Sequence, residues 1–138
     1  MTEPLLFLVV DDCPGRYDEF FRLLDRAKHR WVQTHDPDLV QDLVERADVL
    51  ILDHDMPGPD GRERARWLAQ RAWGSIPAAP IIIASTTGLE GVREEMVATL
   101  QAAGFAVFLC PADHGGCEVE WFNWALGAVA AQNAVRKG

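Results

Sequence analysis

Three short apolar runs in this sequence end in side chains that carry acidic or hydroxyl groups. The polar residues that follow these runs are Asp11 and Asp12, then Asp53, His54 and Asp55, then Ser85 and Thr86. If the runs are neighbouring strands, at least three carboxylates converge within a few ångströms and repel one another. A bound divalent cation neutralises such a cluster, and a donor set made of oxygen atoms favours Mg²⁺.

Each aspartate taken alone has a simpler interpretation. Asp is a common helix N-cap and turn residue, so any one of these side chains could serve only local structure. The occurrence of polar groups after three separate runs favours a shared site over caps alone.

The polar residues meet only if the apolar runs are strands of one sheet. The runs show no polar alternation, which is typical of strands that are buried on both faces of a parallel sheet. The predicted strands are Leu5–Val10, Val49–Leu52, Ile81–Ala84 and Phe105–Leu109, with Trp31–Thr34 as a weaker edge strand.

Segments with helical spacing of apolar residues separate the predicted strands. The predicted helices are Arg16–Lys28, Pro37–Ala47 with Asp36 as its N-cap, one ending near Gly74, one closed by Gly104, and Val119–Val135. Five successive β-α units predict a parallel sheet with right-handed crossovers and helices on both faces. We expect a single α/β domain over residues 1–138.

Charge and composition exclude several classes of protein. Lys and Arg total 13 against 21 Asp and Glu, so the net charge is −8, and an acidic surface disfavours nucleic-acid binding. No apolar run approaches the roughly 20 residues that span a bilayer, and no basic segment opens the chain as in a signal peptide. Three cysteines are too few for a disulfide scaffold, so we expect a cytoplasmic protein without membrane contact.

Two motifs resemble those of response-regulator receiver domains of bacterial phosphorelays. The first is the run that ends in Asp11-Asp12, and the second, starting at Asp53, reads D-x-x-M-P-x-x-D-G as far as Gly61. The run before Ser85 is similar to the fourth strand of that family, which ends in a Ser or Thr switch. The resemblance implies a flavodoxin-like, doubly wound, five-stranded parallel sheet of order 2-1-3-4-5 with five helices.

The resemblance also implies a role for each residue of the cluster. Asp53 is the expected phosphoacceptor, and Asp12 and Asp53 are the expected direct ligands of Mg²⁺ together with the backbone carbonyl of Asp55. Asp11 is expected to act through water. Ser85, followed by Thr86, is expected to donate a hydrogen bond to a phosphoryl oxygen and to draw its loop inward.

The sequence departs from the family within and after the fifth strand, and again at His54-Asp55. Where the family has a Lys-Pro pair after the fifth strand, this chain has Cys110-Pro111, and a thiol supplies no countercharge to a phosphoryl group. Arg93 is the alternative source of that charge. The position of the family's aromatic switch is occupied by Val107, which leaves the coupling of Ser85 to a rotating ring open.

Two further patterns allow other chemistry. The string Leu-Asp-His-Asp, which contains His54 and Asp55, is similar to receiver-like proteins that are proposed to process cyclic phosphates. Cys110, His114 and Cys117 form a C-x3-H-x2-C string whose soft ligands suit Zn²⁺, although no fourth ligand is evident. A histidine of an ordinary loop and a flexible glycine-containing loop are the simpler interpretations.

The leading hypothesis is a stand-alone receiver, without an output domain, that accepts a phosphoryl group on Asp53. We expect no enzymatic activity beyond that self-transfer and slow autodephosphorylation. A histidine kinase or phosphotransfer protein is the expected donor, and a separate output protein is the expected receiver of the signal. The last helix, rich in Trp, is a candidate homodimer surface or simply covers the sheet. The alternatives are a phosphorylation-independent pseudo-receiver that binds a partner and an enzyme acting on cyclic phosphates.

Overall fold

The computed structural model describes residues 4–13, 15, 17–53, 58, 60–70, 81–83, 91–109 and 119–137. Strands and helices alternate along the chain from the first strand to the last helix. The order β-α, repeated five times, is the one that the spacing of apolar runs predicts.

Among the described residues, five parallel strands form one sheet. They are β1 (Leu6–Val10), β2 (Arg30–Thr34), β3 (Val49–Leu52), β4 (Ile81–Ile83) and β5 (Val107–Leu109). Their order across the sheet is β2-β1-β3-β4-β5, with every neighbouring pair parallel. This order confirms the predicted doubly wound topology, and it places β1 and β3 side by side near the centre.

The central strands are apolar along their whole length because both of their faces are covered. All residues of β1 and β3 are buried. Successive side chains alternate between the faces, so that Phe7 and Val9 enter one core while Leu8 and Val10 enter the other. The edge strand β2 is more exposed, as its mixed composition predicts.

In the part of the chain that the structure describes, five helices cover the two faces of the sheet. They are α1 (Asp18–Arg26), α2 (Pro37–Leu43), α3 (Gly61–Gln70), α4 (Val92–Ala102) and α5 (Val119–Lys137). Residues of α1 and α5 share the core that contains Phe7, and residues of α2, α3 and α4 share the core that contains Leu8. The arrangement confirms the prediction of helices on both faces.

Local signals fix the ends of two helices where the sequence predicts them. The Asp36 side chain accepts a hydrogen bond from the backbone N of Asp38 at 3.0 Å, directly before Pro37. Gly104 has φ +94, and the backbone N of Phe105 donates to the carbonyl of Leu100 at 3.1 Å. This is a Schellman closure of α4.

The Schellman closure explains a difference from the predicted fifth strand. The sequence pattern predicts a strand from Phe105, whereas β5 begins at Val107. Because the backbone N of Phe105 is used to close α4 and its ring is buried in the core, this residue belongs to the turn before the strand. An apolar side chain at position 105 packs into the core whether the residue belongs to the turn or to the strand.

The aromatic residues of α5 that the structure describes take part in packing. Phe122 is buried, and its ring lies 5.7 Å from that of Phe20 in α1. Trp124 packs half-buried against the same core. This supports the simpler interpretation of these two residues, and a homodimer through the last helix stays a prediction.

Within the described part of the chain, no helix combines the length and apolar character that crossing a bilayer requires.

Candidate metal and phosphoacceptor site

The register of β1 and β3 brings two of the predicted acidic residues together. Val10 pairs with Leu52 at the last position of each strand. The backbone N of Asp53 continues the ladder by donating to the carbonyl of Val10 at 3.1 Å. Asp11 and Asp53 therefore leave the sheet side by side, at the carboxyl edge where parallel α/β sheets hold their functional groups.

Three carboxylates meet at this edge. Asp11, Asp12 and Asp53 each offer an oxygen, and these three atoms lie within 4.8 Å of one another. Asp11 and Asp53 are each only 1% exposed, whereas Asp12 is half-buried. We call these three residues the acidic cluster. Its convergence is the spatial arrangement that the sequence predicts.

Asp11 is held in place by hydrogen bonds to both of its carboxylate oxygens. The hydroxyl of Tyr17 donates to Oδ2 at 2.7 Å, and the backbone N of Cys13 donates to Oδ1 at 2.9 Å. Tyr17 is fully buried, so its hydroxyl meets the carboxylate away from solvent. These bonds stabilise the negative charge of Asp11 and fix its orientation.

The loop after β1 is also tied to the edge strand. Gln33, the partner of Val9 in β2, donates from Nε2 to the backbone carbonyls of Cys13 at 2.9 Å and of Asp11 at 3.3 Å. A side-chain amide that binds two carbonyls of one loop limits the positions that the loop can take. The loop that carries Asp11 and Asp12 is therefore held in place by Tyr17, at the start of α1, and by Gln33 of β2.

The end of the D-x-x-M-P-x-x-D-G motif serves a structural purpose. Asp60 accepts a hydrogen bond from the backbone N of Glu63 at 3.0 Å and so caps the start of α3. Gly61 is buried as the first residue of that helix. Gly58 has φ +74, a conformation that favours glycine. Asp60 therefore has the local capping role that aspartate commonly takes at the start of a helix.

Several predicted site residues lie outside the described residues. They are Asp55 with its carbonyl, His54, Ser85 and Thr86, together with Cys110, His114 and Cys117, which follow β5 in the sequence. Their expected roles stay predictions. Arg93, the alternative countercharge, lies in the first turn of α4.

Sequence reasoning missed two residues that shape the site. The sequence pattern places Tyr17 inside the predicted helix Arg16–Lys28 and Gln33 inside the edge strand Trp31–Thr34, and it indicates no role at the site for either. The available signal was the hydroxyl of Tyr17, since a buried tyrosine normally has a hydrogen-bond partner for its polar end. Neither the spacing nor the composition of the chain names Asp11 as that partner.

The donor chemistry of the acidic cluster fits a hard divalent cation. Three carboxylates supply only oxygen ligands, and one or two carboxylates with several waters are what Mg²⁺ takes in proteins. Since both oxygens of Asp11 already accept hydrogen bonds, Asp12 and Asp53 are the better candidates for direct contact with the ion. The division of roles that the resemblance implies stays a prediction.

Comparisons with known proteins identify the class of fold. No protein-family model matches the sequence, and no curated protein matches it. Solved structures do match it. A CheY-like response regulator receiver domain protein from Methanospirillum hungatei JF-1 superposes with a TM-score of 0.68 at 14% identity, covering 99% of this chain and 100% of that one.

Two bacterial receiver domains match at similar levels. The response regulator domain of Thermotoga maritima CheB has a TM-score of 0.57 at 21% identity, covering 95% of this chain and 98% of that one. The receiver domain of a sensor histidine kinase from Pseudomonas aeruginosa PAO1 has a TM-score of 0.64 at 21% identity, covering 93% and 99%. That structure holds a magnesium ion coordinated in its active site cleft. The present chain has the fold of a response-regulator receiver domain.

Proposed function

We propose that the protein is a receiver that accepts a phosphoryl group on Asp53 in the presence of Mg²⁺ and signals by contact with another protein. The observation that carries the proposal is the acidic cluster at the carboxyl edge of a receiver fold. It is supported by a magnesium-bearing structural neighbour of the same fold. The donor would be a histidine kinase or a phosphotransfer protein.

Asp53 is the preferred nucleophile of the three carboxylates. Asp11 is held by hydrogen bonds to both oxygens, whereas Asp12 lies in the loop after β1 and is only half-buried. In the transfer, a carboxylate oxygen of Asp53 attacks phosphorus, the bond from phosphorus to the donor atom breaks, and the donor leaves with its electron pair. The product is an acyl phosphate on Asp53.

Asp12 and Asp53 would hold Mg²⁺, with Asp11 acting through water. The bound ion supplies charge neutralisation for an incoming phosphoryl group beside three carboxylates. Asp11 contributes a fixed orientation, because Tyr17 and the backbone of Cys13 hold its two oxygens. Ser85, with Thr86, is the proposed switch that would donate to a phosphoryl oxygen.

Phosphorylation of the isolated chain tests the proposal directly. The purified protein is incubated with acetyl phosphate and Mg²⁺, and its intact mass is measured over time. We expect one added phosphoryl group on the native chain and none on Asp53→Asn, while the exposed-residue control Asp42→Asn keeps the adduct. An absent adduct, or one that persists in Asp53→Asn, would contradict the assignment.

A second candidate, a phosphorylation-independent pseudo-receiver, is motivated by one sequence feature. Cys110 stands where receivers carry the lysine that contacts the phosphoryl group. This candidate predicts that Asp53→Asn leaves binding to a partner protein unchanged, whereas the leading proposal predicts that binding depends on treatment with acetyl phosphate. In either case we propose no enzymatic activity beyond self-phosphotransfer and its slow reversal by water.

A further inference from the structure

A cavity lies beneath the carboxyl edge of the sheet, on the face opposite to α1 and α5. Its volume is about 270 Å³, and its floor is formed by Val10 of β1 and by Leu50 and Leu52 of β3. The walls come from α2 and α3. None of the roles proposed above uses this space.

The floor of the cavity adjoins the acidic cluster through the backbone. Val10 and Leu52 directly precede Asp11 and Asp53 in the sequence. They face the cavity, whereas the carboxylates that follow them meet at the sheet edge. The cavity is thus a separate space that shares two strand ends with the candidate metal site.

The walls combine flat apolar groups with a few polar ones. Trp67 and Pro37 line the cavity beside the buried side chain of Val40. Gln41, Glu63 and Arg64 supply hydrogen-bond donors and acceptors to the same lining. A mostly apolar lining with a small number of polar groups is typical of small-molecule sites.

Arg64 is the only buried cation among the described residues, and its charge is balanced by the protein itself. The side chain is 5% exposed, and its guanidinium donates to the backbone carbonyl of His35, just before α2. Burial lowers the pKa of Arg64, while the charges of Asp36 and Glu63 raise it. Among the residues that line the cavity, Glu63 and Arg64 carry opposite formal charges, so this lining offers no net charge to an ionic ligand.

We propose that this cavity is a binding site for a small neutral aromatic molecule of one or two fused rings, held between α2 and α3. Trp67 gives the lining an aromatic wall, and the apolar floor suits the carbon atoms of a flat ring. The net charge of −8 further disfavours anions. The inference goes beyond the proposed phosphotransfer and does not depend on it.

The volume sets the size of the ligand. An engineered apolar cavity of about 150 Å³ in another protein holds benzene. A space of about 270 Å³ has room for a second fused ring, and it lies just under the roughly 300–1,000 Å³ of sites for drug-sized ligands. Indole, a neutral two-ring molecule with one N–H donor, is therefore the probe of choice.

The test is a titration of metal-free, ¹⁵N-labelled protein with indole, followed by amide NMR spectra. We expect saturable shifts that include the amides of Leu50 and Leu52 and the indole N–H of Trp67. Indole-3-carboxylate, which adds a charge to the same ring system, is expected to bind at least about tenfold more weakly. Shifts that never saturate or that avoid these residues would overturn the proposal, as would equal binding of the carboxylate.

Two variants of neighbouring residues provide the matched comparison. Val40→Phe fills the cavity and should weaken indole binding by about tenfold or more. Leu39→Phe enlarges the adjacent, exposed side chain, which is no part of the lining, and should leave the affinity unchanged. If the spectrum of Val40→Phe shows that this variant does not fold, Gln41→Phe, at the exposed rim of the cavity, is used in its place. We expect the same weakening of indole binding from it. Unchanged affinity in the filled variant would refute the assignment.

The experiment separates this site from the phosphoacceptor. The titration contains neither a phosphodonor nor Mg²⁺, so its result does not depend on whether Asp53 can be phosphorylated. Conversely, a missing phosphoryl adduct on Asp53 leaves the titration result unaffected.

Discussion

Removal of one charge from the acidic cluster should stabilise the metal-free protein. Three carboxylate oxygens within 4.8 Å of one another repel, and Asp53→Asn abolishes two of the three repulsive pairs. At 4.8 Å, one pair of unit charges costs about 3.5 kcal/mol at an effective dielectric constant of about 20, and about 0.9 kcal/mol in bulk water. The hydrogen bonds to Asp11 and the partial exposure of Asp12 reduce the repulsion. We therefore expect a net gain of about 1–3 kcal/mol in the free energy of unfolding.

Magnesium should reduce this difference in stability. A cation that binds only the folded protein adds stability by mass action, about 1.4 kcal/mol when its concentration is ten times Kd. The native chain should gain this stability and Asp53→Asn should gain little of it, because a neutral amide replaces one of the two proposed direct ligands. The stability difference between the two proteins should accordingly shrink as Mg²⁺ is added.

Urea unfolding with EDTA and with Mg²⁺ measures both effects. Asp42→Asn is the control, since it removes the same charge from an exposed position on α2 and should change stability by less than about 0.5 kcal/mol. The reasoning is refuted if Asp53→Asn is less stable than the native chain in EDTA, or if Mg²⁺ stabilises both proteins equally.

Three further predictions concern the supports of the site and of the sheet. Tyr17→Phe removes the buried hydrogen bond to Asp11 and should lower the free energy of unfolding by about 1.5–3 kcal/mol in urea titrations; an unchanged midpoint would contradict this. Lys28, which follows α1, has φ +64, a backbone conformation that is strained for any residue with a side chain. Lys28→Gly should therefore raise the free energy of unfolding by about 0.5–1 kcal/mol and raise the melting temperature, whereas a lowered melting temperature would contradict the strain. Burial lowers the pKa of His29 below 6.5, and its Nδ1 accepts from the backbone N of Leu5 at 3.0 Å. Its stabilising contribution is therefore complete above pH 6.5 and is lost as the pH falls below that value. When unfolding is measured at several pH values, the free energy of unfolding should vary less with pH in His29→Gln than in the native chain. The same pH dependence in both proteins would contradict this role of His29.

The sequence predicts the sheet well because each central strand carries an unmistakable physical signature. Short uninterrupted apolar runs are typical of strands buried on two faces, and their alternation with helical segments predicts the parallel pairing. β3 begins and ends where the sequence predicts. Helix ends are also well predicted where a cap is specific, as at Asp36 and Gly104.

Boundaries are less predictable where one residue type suits two structures. Phe105 is apolar and buried, as a strand residue would be, yet its backbone N closes α4. The predicted first helix likewise extends to Lys28, whereas α1 ends at Arg26 and Lys28 takes a positive φ. In both cases a backbone hydrogen bond decides the boundary, and side-chain periodicity carries no information about it.

The candidate site divides in the same way. The convergence of Asp11, Asp12 and Asp53 follows from topology, because strands that are neighbours in a parallel sheet end at one edge. The contacts of Tyr17 and Gln33 with the loop after β1 depend on how side chains meet across separate elements. No pattern along the chain encodes those distances, so only the three-dimensional structure reveals them.

A crystal structure of the protein with Mg²⁺ and beryllofluoride, a mimic of the phosphoryl group, tests the central claim most directly. We expect one metal ion in contact with carboxylate oxygens of both Asp12 and Asp53, and beryllofluoride bound to an oxygen of Asp53. Electron density for the ion away from these two residues, or beryllofluoride absent from Asp53 at saturating concentration, would contradict the account.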